Sequence, residues 1–274
     1  MKNLIISLIQ KIVALGNGYL TPMTDHILIR RLICKLAPMN YSERGCLIRL
    51  GPKGDGGYLV PNDLDGIEAC FSPGVCEMSG FEKDCAELGM KIFMADRSVN
   101  QPAESHVLFH FTKKYVGVTT NDDFMTLDDW VTSSLPLGST SDLILQIDVE
   151  GFEYEVFMNM PDSLMRRFRI ILVEFHNLEQ LWNRPFFQIG SRAFEKIIQT
   201  HTCVHIHPNN CVAPLDKGGL SIPPTAEFTF LRTDRVENAT RAKVFPHPLD
   251  FDNANKPHFA LPDCFYQEAD TDVH

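Results

Sequence analysis

Four carboxylate side chains follow one of the most apolar stretches of the sequence. The segment LILQIDVEGFEYEVF begins at Leu143, and its acids are Asp148, Glu150, Glu153 and Glu155. A short apolar run such as LILQI is typical of a buried strand. A carboxylate at the end of such a strand is partly solvated, so it can bind a divalent cation or a polar ligand through oxygen. This strand end is the first candidate for chemistry.

The four acids differ in what their positions predict. Asp148 comes directly after the strand, and we interpret it as a functional residue. Glu150 is a candidate for substrate binding, although Glu150 and Glu153 could instead lie in the first turn of a helix, where carboxylates interact favourably with the helix dipole. Glu155 is better explained as part of a solvated helix face.

A second strand end carries an acid and a base. FRIILVEFH reads as a strand that ends at Glu174 and His176. Imidazole titrates near neutral pH, so His176 could accept a proton from a hydroxyl group. Asp148 and Glu174 could together bind one Mg or Mn ion, which would lower the pKa of that hydroxyl. The alternative for His176 is a hydrogen-bonded structural histidine.

A third polar strand end is the segment HIHPNN. His205 and His207 are two residues apart, so on a strand they point to the same face. With Asn209 and Asn210 they could line a substrate pocket or satisfy a turn. His207 and Asn209 are the residues of this segment that we assign to substrate binding, and metal ligation is the weaker alternative.

Strand-like and helix-like segments alternate along most of the chain. The pattern predicts an α/β fold with a mostly parallel sheet and helices on both faces. In open sheets of this kind, ligands bind at the carboxyl ends of the strands, near the point where the strand order reverses. We therefore expect the polar strand ends to meet at one rim.

The segment FSPGVCEMSG supplies the small residues of this rim. Ser72 and Gly74 would let a ligand approach the backbone at a strand-to-helix turn. The segment is not GxGxxG, and Glu77 stands where phosphates would bind, so a cationic ligand is favoured. Asp96 ends the next strand, as does the acid that binds ribose hydroxyls in nucleoside-binding folds. The combination indicates S-adenosylmethionine; alternatively, Gly74 is only a turn residue and Asp96 only a cap.

The helix after this turn carries its own start and stop signals. In SGFEKDCAELG, Ser79 is a candidate N-cap, Glu82 follows three residues later, and Gly89 is a stop signal. Thr126 is a similar candidate cap for the helix in TLDDWVTSSL.

Composition limits the classes of function. The 274 residues carry a net charge of −10, and such an acidic chain repels phosphate backbones, so we expect no nucleic-acid partner. The eight cysteines form no CxxC pair, and we interpret them as reduced thiols of a cytoplasmic protein.

The chain divides into three predicted regions. Residues 1–45 form an N-terminal helical extension, residues 46–235 the main domain, and residues 236–274 a loop-rich tail rich in Pro and Asn. The extension begins with MKNLIISLIQKIVALGNG, which reads as an amphipathic helix rather than a secretory signal. It is too short to span a bilayer. It could cover the domain, touch a membrane surface or mediate a homo-oligomer.

Several motifs together resemble the FkbM family of S-adenosylmethionine-dependent methyltransferases. LILQIDVEGFEYEVF is similar to the family signature K-I-D-x-E-G-x-E. Further agreement comes from IRLGPKGDGGYLV, FSPGVCEMSGFEKDCAELG, TLDDW, ILVEFHNLEQL, HIHPNNC and EFTFLR, in the expected order. Two departures are the SPGVCEMSG segment, in place of D-x-G-A-N-x-G, and Gln146, which stands where Lys is usual.

The resemblance implies a fold and an activity. The fold is a Rossmann-like class I methyltransferase domain, with a seven-stranded sheet whose last strand, AEFTFLR, is antiparallel. The activity is O-methylation, commonly of a sugar or polyketide hydroxyl, and the paired acids resemble those of metal-dependent O-methyltransferases. Asp55, Gly56 and Gly57 have the composition of a hairpin turn, but the resemblance favours cofactor binding by Gly57 and Tyr58.

We therefore expect an S-adenosylmethionine-dependent O-methyltransferase that acts on a sugar or glycan hydroxyl. Its catalytic residues would be His176, Asp148 and Glu174. The alternative is a non-catalytic binding module with the same fold. A nicotinamide-dependent oxidoreductase is a third hypothesis, and the absence of GxGxxG counts against it.

Overall fold

A seven-stranded sheet forms the centre of the molecule. The computed structural model describes residues 2–41, 46–75 and 78–267. The strands of the sheet, in chain order, are β1 (Ile67–Pro73), β2 (Lys91–Ala95), β3 (Phe109–Thr112), β4 (Asp142–Ile147), β5 (Phe168–Phe175), β6 (His201–Pro208) and β7 (Ala226–Arg232).

The order of the strands places a reversal at the middle of the sheet. Across the sheet the order is β3-β2-β1-β4-β5-β7-β6. All neighbours are parallel except β7, which is antiparallel to both β5 and β6. Along the chain, β1 to β3 are added on one side of the sheet and β4 onwards on the other, so the strand order reverses between β1 and β4. In open α/β sheets, ligands bind at the carboxyl ends of the strands at such a reversal. The predicted α/β fold with a mostly parallel seven-stranded sheet is confirmed.

Helices connect most of the strands. They are α1 (Lys2–Leu15), α2 (His26–Lys35), α3 (Gly80–Glu87), α4 (Leu127–Ser134), α5 (Glu153–Asn159), α6 (Asp162–Met165) and α7 (Arg184–Ile198). Short 3-10 helices span Leu178–Trp182, Thr233–Arg235 and Asp263–Phe265.

The two faces of the sheet pack against different partners. Side chains alternate along β4, so Leu143, Leu145 and Ile147 enter one apolar cluster while Ile144 enters the other. The first cluster includes residues of α2 and of α4 to α7, and the second includes residues of α3 and of a β-hairpin. Helices therefore cover both faces, as predicted, but within the described ranges the face with the hairpin has only α3.

This hairpin consists of Leu47–Leu50 and Tyr58–Pro61, which agrees with the predicted strand, turn and strand. Three further pairs of short strands lie outside the central sheet. They are Met39–Asn40 with Thr240–Arg241, Tyr115–Gly117 with Phe124–Thr126, and Leu215–Lys217 with Leu220–Ile222. The first pair ties the segment after α2 to the C-terminal region.

The two predicted helix caps have different outcomes. Thr126 caps α4, because its side chain accepts a hydrogen bond from the backbone N–H of Asp129. Ser79 occupies the N-cap position of α3 but makes no side-chain capping bond. The predicted capping box is wrong, because the carboxylate of Glu82 contacts the hydroxyl of Ser72 on β1 instead.

The N-terminal helix is present as predicted, and part of its apolar surface is exposed. Ile12 is 60% exposed and Leu15 is 88% exposed, so neither side chain is part of the core. Among the helices of the described ranges, none has both the length and the apolar character that crossing a membrane requires. Seven cysteines are described, and all of them are free thiols.

Candidate functional site

An acid from β4 and an acid and a histidine from β5 meet at the carboxyl edge of the sheet. Asp148 follows β4, Glu174 is the penultimate residue of β5, and His176 follows it. The strands are parallel neighbours with Ile147 paired to Val173, so the next residues of both strands emerge side by side. One ligand atom from each of the three side chains lies within 4.8 Å of the other two. We refer to Asp148, Glu174 and His176 as the rim cluster.

Two carboxylates approach the Nε2 atom of the histidine. His176 Nε2 lies 3.8 Å from Asp148 Oδ1 and 3.6 Å from Glu150 Oε2. Both distances are too long for good hydrogen bonds. Asp148 Oδ1 is buried and has no hydrogen-bond partner among the described residues. The Glu150 side chain is 85% exposed, so it can reach a ligand in the cleft.

Burial and like charges change the acidity of the rim cluster. Burial, reinforced by the charge of Glu174, raises the pKa of Asp148 to about 9. Burial lowers the pKa of His176, but the hydrogen bond to Glu153 and the surrounding carboxylates outweigh it and raise that pKa to about 9. Burial also raises the pKa of Glu174. At neutral pH the cluster therefore holds protons, which a metal cation could replace.

The predicted substrate residue Asn209 lies against the rim cluster. Its Nδ2 donates to Glu174 Oε1 at 2.7 Å, and its Oδ1 accepts from the backbone N–H of Cys211 at 2.8 Å. The first bond partly offsets the rise in the pKa of Glu174. In the structure, Asn209 therefore orients an acid of the cluster.

The other predicted substrate residue, His207, lies under the C-terminal segment. His205 Nε2 is 2.9 Å from Asp250 Oδ1, and His207 Nδ1 is 3.7 Å from the same oxygen. The two histidines thus share one face of β6, as predicted. His207 pairs across the sheet with Glu227, whose pKa burial raises to about 7. The structure does not bring His207 into the rim cluster.

Gly74 brings the ends of β1 and β4 into contact. Its φ is +95°, and a β-carbon there would lie 1.5 Å from the carbonyl oxygen of Asp148. Beside this contact is a small cavity of about 30 Å³. Its walls are formed by Asp55, Gly56, Tyr58, Gly74, Val75, Met78, Glu82, Gln146 and Asp148.

A buried hydrogen-bond chain forms part of the wall of this cavity. Ser72 Oγ lies 2.6 Å from both Glu82 Oε1 and Gln146 Oε1, and Gln146 Nε2 donates to the Tyr58 hydroxyl at 3.0 Å. Burial raises the pKa of Glu82, and the single hydroxyl proton of Ser72 can go to only one of the two oxygens at a time. Ser72 and Tyr58 therefore both form hydrogen bonds with neighbouring side chains.

Gly57 closes the seven-residue loop of the hairpin. A β-carbon on Gly57 would lie 2.0 Å from the Pro52 carbonyl oxygen. Arg49 holds the same loop by donating to the carbonyl oxygens of Pro52 and Gly54, each at 2.7 Å. The loop is longer than a two-residue hairpin turn, and it presents Asp55 and Gly56 to the cavity.

Asp96 lies at the same edge of the sheet but outside the cavity wall. It follows β2, whose last residue Ala95 pairs with Pro73 of β1. Asp96 Oδ1 accepts from both the backbone N–H and the hydroxyl of Ser98, each at 2.6 Å. These two hydrogen bonds correspond to the capping role that the sequence analysis gave as the alternative for Asp96. The remaining predicted cofactor residue, Glu77, lies outside the described residues.

Three acids of the site region were not assigned to it from the sequence. Glu153 contacts His176, Glu82 contacts Ser72, and Asp250 contacts His205. Glu153 carried a signal, because it belongs to the same acid-rich segment as Asp148. Asp250 carried no such signal in the sequence, because it belongs to a region that reads as a loop.

Comparison with known proteins identifies one domain. Residues 75–202 match the methyltransferase FkbM domain. This range begins just after β1 and ends at the start of β6, so it includes the whole rim cluster. The resemblance to that family is confirmed. A comparison with curated proteins found no match.

Solved structures give distant matches. Thermoplasma acidophilum 1320 is 10% identical, with a TM-score of 0.34, and the match covers 61% of this chain and 79% of that one. A candidate methyltransferase from an antibiotic biosynthesis pathway of Anabaena variabilis is 13% identical, with a TM-score of 0.28 and coverages of 55% and 61%. EvdMO1 is 12% identical, with a TM-score of 0.28 and coverages of 76% and 47%.

Proposed function

From the FkbM methyltransferase domain at residues 75–202, we propose that the protein is an S-adenosylmethionine-dependent O-methyltransferase that acts on a hydroxyl group of a sugar or glycan. The observation that carries the proposal is the rim cluster, in which Asp148, Glu174 and His176 meet beside the reversal in strand order. The strand order and the antiparallel β7 support a class I, Rossmann-like methyltransferase domain.

The acids around the cavity fit the charge of the methyl donor. S-adenosylmethionine carries a sulfonium and an ammonium group, and it supplies an electrophilic methyl group when bound. Asp55, Glu82 and Asp148 all line the cavity beside Gly74, and a cation bound there would favour the charged forms of these carboxyl groups. We propose that the cofactor is held by Gly57, Tyr58, Ser72, Gly74, Glu77 and Asp96.

The rim cluster also fits a divalent cation. Two carboxylates and one imidazole are ligands that Mn accepts, and Mg prefers the carboxylate oxygens. The unpartnered, buried Oδ1 of Asp148 is an atom that such an ion would satisfy. Asp148 and Glu174 would hold the ion, which would supply Lewis acidity toward the acceptor hydroxyl.

The remaining steps belong to the side chains of the cleft. Glu150 is exposed and can accept a hydrogen bond from the acceptor. When bound, S-adenosylmethionine would supply the methyl group to the acceptor oxygen and leave as the neutral thioether, and His176 Nε2 would take the proton that the hydroxyl loses. Because the carboxylates raise the pKa of His176 to about 9, the free imidazole is a strong base but a minor species at neutral pH.

The experiment that tests this proposal is mass spectrometry of candidate acceptors. Free sugars, nucleotide-linked sugars and glycans are incubated with the folded protein, S-adenosylmethionine and Mn or Mg. We expect one acceptor class to gain a methyl group. His176→Ala and Asp148→Asn should retain only a residual rate of transfer, whereas Glu155→Gln, which changes an exposed carboxylate of the same segment, should retain the full rate.

The alternative function is a non-catalytic module that binds a partner through the same fold. It predicts no methylated product with any acceptor, while S-adenosylmethionine still binds. Methyl transfer that depends on His176 would exclude this alternative.

Three features of the cellular context are also proposals. The free thiols support a cytoplasmic location. The exposed apolar residues of α1 support a homo-oligomer formed through this helix. We retain the division into an extension (1–45), a methyltransferase domain (46–235) and a tail (236–274), in which the strand pair Met39–Asn40 and Thr240–Arg241 links the first region to the last.

A further inference from the structure

A fully buried carboxylate lies behind the histidine of the rim cluster. Glu153 is the first residue of α5 and is 0% exposed. Its Oε1 accepts hydrogen bonds from the backbone N–H groups of Val149 and Gly151, at 3.1 and 3.0 Å. The same oxygen lies 3.1 Å from His176 Nδ1. Glu153 therefore connects the loop after β4 to the residue after β5.

These contacts determine which ring nitrogen keeps its proton when the imidazole is neutral. Glu153 Oε1 already accepts two backbone hydrogen bonds, so it meets the imidazole as an acceptor. His176 Nδ1 must then be the donor. The other nitrogen, Nε2, is directed toward Asp148 and Glu150 on the cleft side.

The backbone of the histidine is fixed by the next residue of the same helix. The hydroxyl of Tyr154 donates to the carbonyl oxygen of His176 at 2.8 Å. The loop also packs closely against the following residue, because a β-carbon on Gly151 would lie 2.9 Å from Asn177 Nδ2. The start of α5 thus holds both the side chain and the main chain of His176.

We propose that Glu153 is the positioning residue of the site. It accepts the Nδ1 proton, fixes the orientation of the ring and presents Nε2 to the acceptor hydroxyl. The catalytic consequence rests on the proposed methyl transfer, whereas the orientation of the ring does not. Glu153 touches no reacting atom and acts only through His176.

A purely structural role for Glu153 makes a different prediction. An acid at the start of a helix can stabilise it through the helix dipole and by accepting loop N–H groups. Glu153→Gln separates the two roles, since the amide oxygen can still accept from Val149 and Gly151 while the negative charge is removed. Glu155→Gln is the matched control, because Glu155 lies in the same first turn but is exposed.

The first test reads the imidazole directly. Histidine side chains of the full chain are labelled with nitrogen-15, and the His176 signals are assigned with His176→Ala. We expect a proton on Nδ1 that exchanges slowly at neutral pH and that stays on Nδ1 when the ring becomes neutral above its pKa of about 9. In Glu153→Gln this signal should move upfield and exchange faster because the anionic acceptor is gone, and in Glu155→Gln it should be unchanged. A wild-type His176 without a proton on Nδ1 would overturn the proposal even if Glu153→Gln does not fold.

The second test is a double-mutant cycle on methyl transfer. We expect Glu153→Gln to lower kcat by about 10- to 100-fold with little change in KM, as for other residues that orient a functional ligand. In the His176→Ala background the same change should have no further effect. An equal loss in both backgrounds would show that Glu153 acts on the fold and not through His176.

The two tests separate this proposal from the proposed function. A ring signal that responds to Glu153→Gln, in a chain that methylates no acceptor, supports the positioning and counts against the transferase. An active enzyme whose His176 signals are the same in wild type and Glu153→Gln would support the transferase and count against positioning by Glu153.

Discussion

Gly74 and Asp148 touch at the point where the strand order of the sheet reverses. A β-carbon on Gly74 would lie 1.5 Å from the carbonyl oxygen of Asp148, so only glycine allows the ends of β1 and β4 to approach this closely. The contact fixes the backbone of Asp148, and the register of β4 with β5 then brings its carboxylate to Glu174 and His176. The geometry of the rim cluster therefore depends on a residue that contributes no side chain.

Replacing this glycine should destabilise the whole domain. We expect Gly74→Ala to lower the free energy of unfolding by about 3 kcal/mol or more, because a backbone atom blocks the new methyl group. The control is Gly89→Ala, which has a similar φ of +90° but nothing within 4 Å of the added carbon. It should cost about 1–2 kcal/mol from backbone strain alone. Urea denaturation measures the loss of unfolding free energy in both variants. Equal losses would show that the structure relaxes around the new methyl group of Gly74→Ala and relieves its clash with Asp148.

The buried acid of the rim cluster should make the protein less stable as pH rises. The pKa of Asp148 is raised from 3.8 to about 9 in the folded state, so the folded chain binds more protons than the unfolded chain between these values. His176, raised from 6.5 to about 9, acts in the same direction over the upper part of the range. Without metal, stability should therefore fall from about pH 4 toward pH 9.

Asp148→Asn tests this pH dependence. The amide cannot ionise, so the fall in unfolding free energy between pH 5 and pH 9 should be smaller than in the wild type. Chemical denaturation at a series of pH values, in the presence of a chelator, gives the comparison. Glu155→Gln should follow the wild-type curve. A wild-type curve that is flat over this range would contradict the assigned acidity.

The C-terminal segment around Asp250 should depend on the buried contact between Asp250 and His205. Asp250 lies 2.9 Å from His205, and both side chains are 4% exposed. Although burial acts in the opposite direction, the hydrogen bond from His205 and the proximity of His207 hold the pKa of Asp250 below its usual value. The pair therefore adds stability at neutral pH, and that contribution is lost as the pH falls below the ordinary aspartate pKa.

Asp250→Asn should lower the free energy of unfolding at neutral pH by about 3 kcal/mol, since it removes one partner of a buried pair. Asp252→Asn is the control, because the pair of Asp252 with His258 is only partly buried and should contribute about 0.5 kcal/mol or less. Thermal or urea unfolding distinguishes them, and similar small effects would mean that the segment is not anchored by Asp250.

Asn209 should control the affinity of the rim cluster for a divalent cation. Its Nδ2 donates to Glu174 Oε1, and residues that orient a metal ligand affect affinity by about 10- to 100-fold. We expect Asn209→Ala to weaken Mn binding by about tenfold in calorimetric titrations. Asn210→Ala should bind Mn as the wild type does, because Asn210 donates to carbonyl oxygens of the tail. Absence of Mn binding to the wild type would end the cation proposal.

The sequence predicted the parts of the site that lie at the ends of regular strands. Asp148, Glu174 and His176 each follow or end an apolar run, and parallel strands place their carboxyl ends at one edge. Alternation of strands and helices was enough to predict the mostly parallel sheet, because the central strands β4 and β5 are largely apolar runs.

The contacts that the sequence did not predict are those between distant segments. Glu82 and Glu153 both lie in the first turn of a helix, where local rules interpret an acid as a cap. Their partners are Ser72 on a strand and His176 directly after one, and packing of helix on sheet decides the contact. Asp250 meets His205 across 45 residues of sequence, and no local pattern indicates such a pairing.

The central claim is that the edge of the sheet near β1 and β4 binds a methyl donor. Calorimetric titration of the folded protein with S-adenosylmethionine tests it most directly, with circular dichroism to show that the protein is folded. We predict saturable heat with one site per chain, retained in His176→Ala because the imidazole serves the acceptor. No saturable heat from protein shown to be folded would contradict the account.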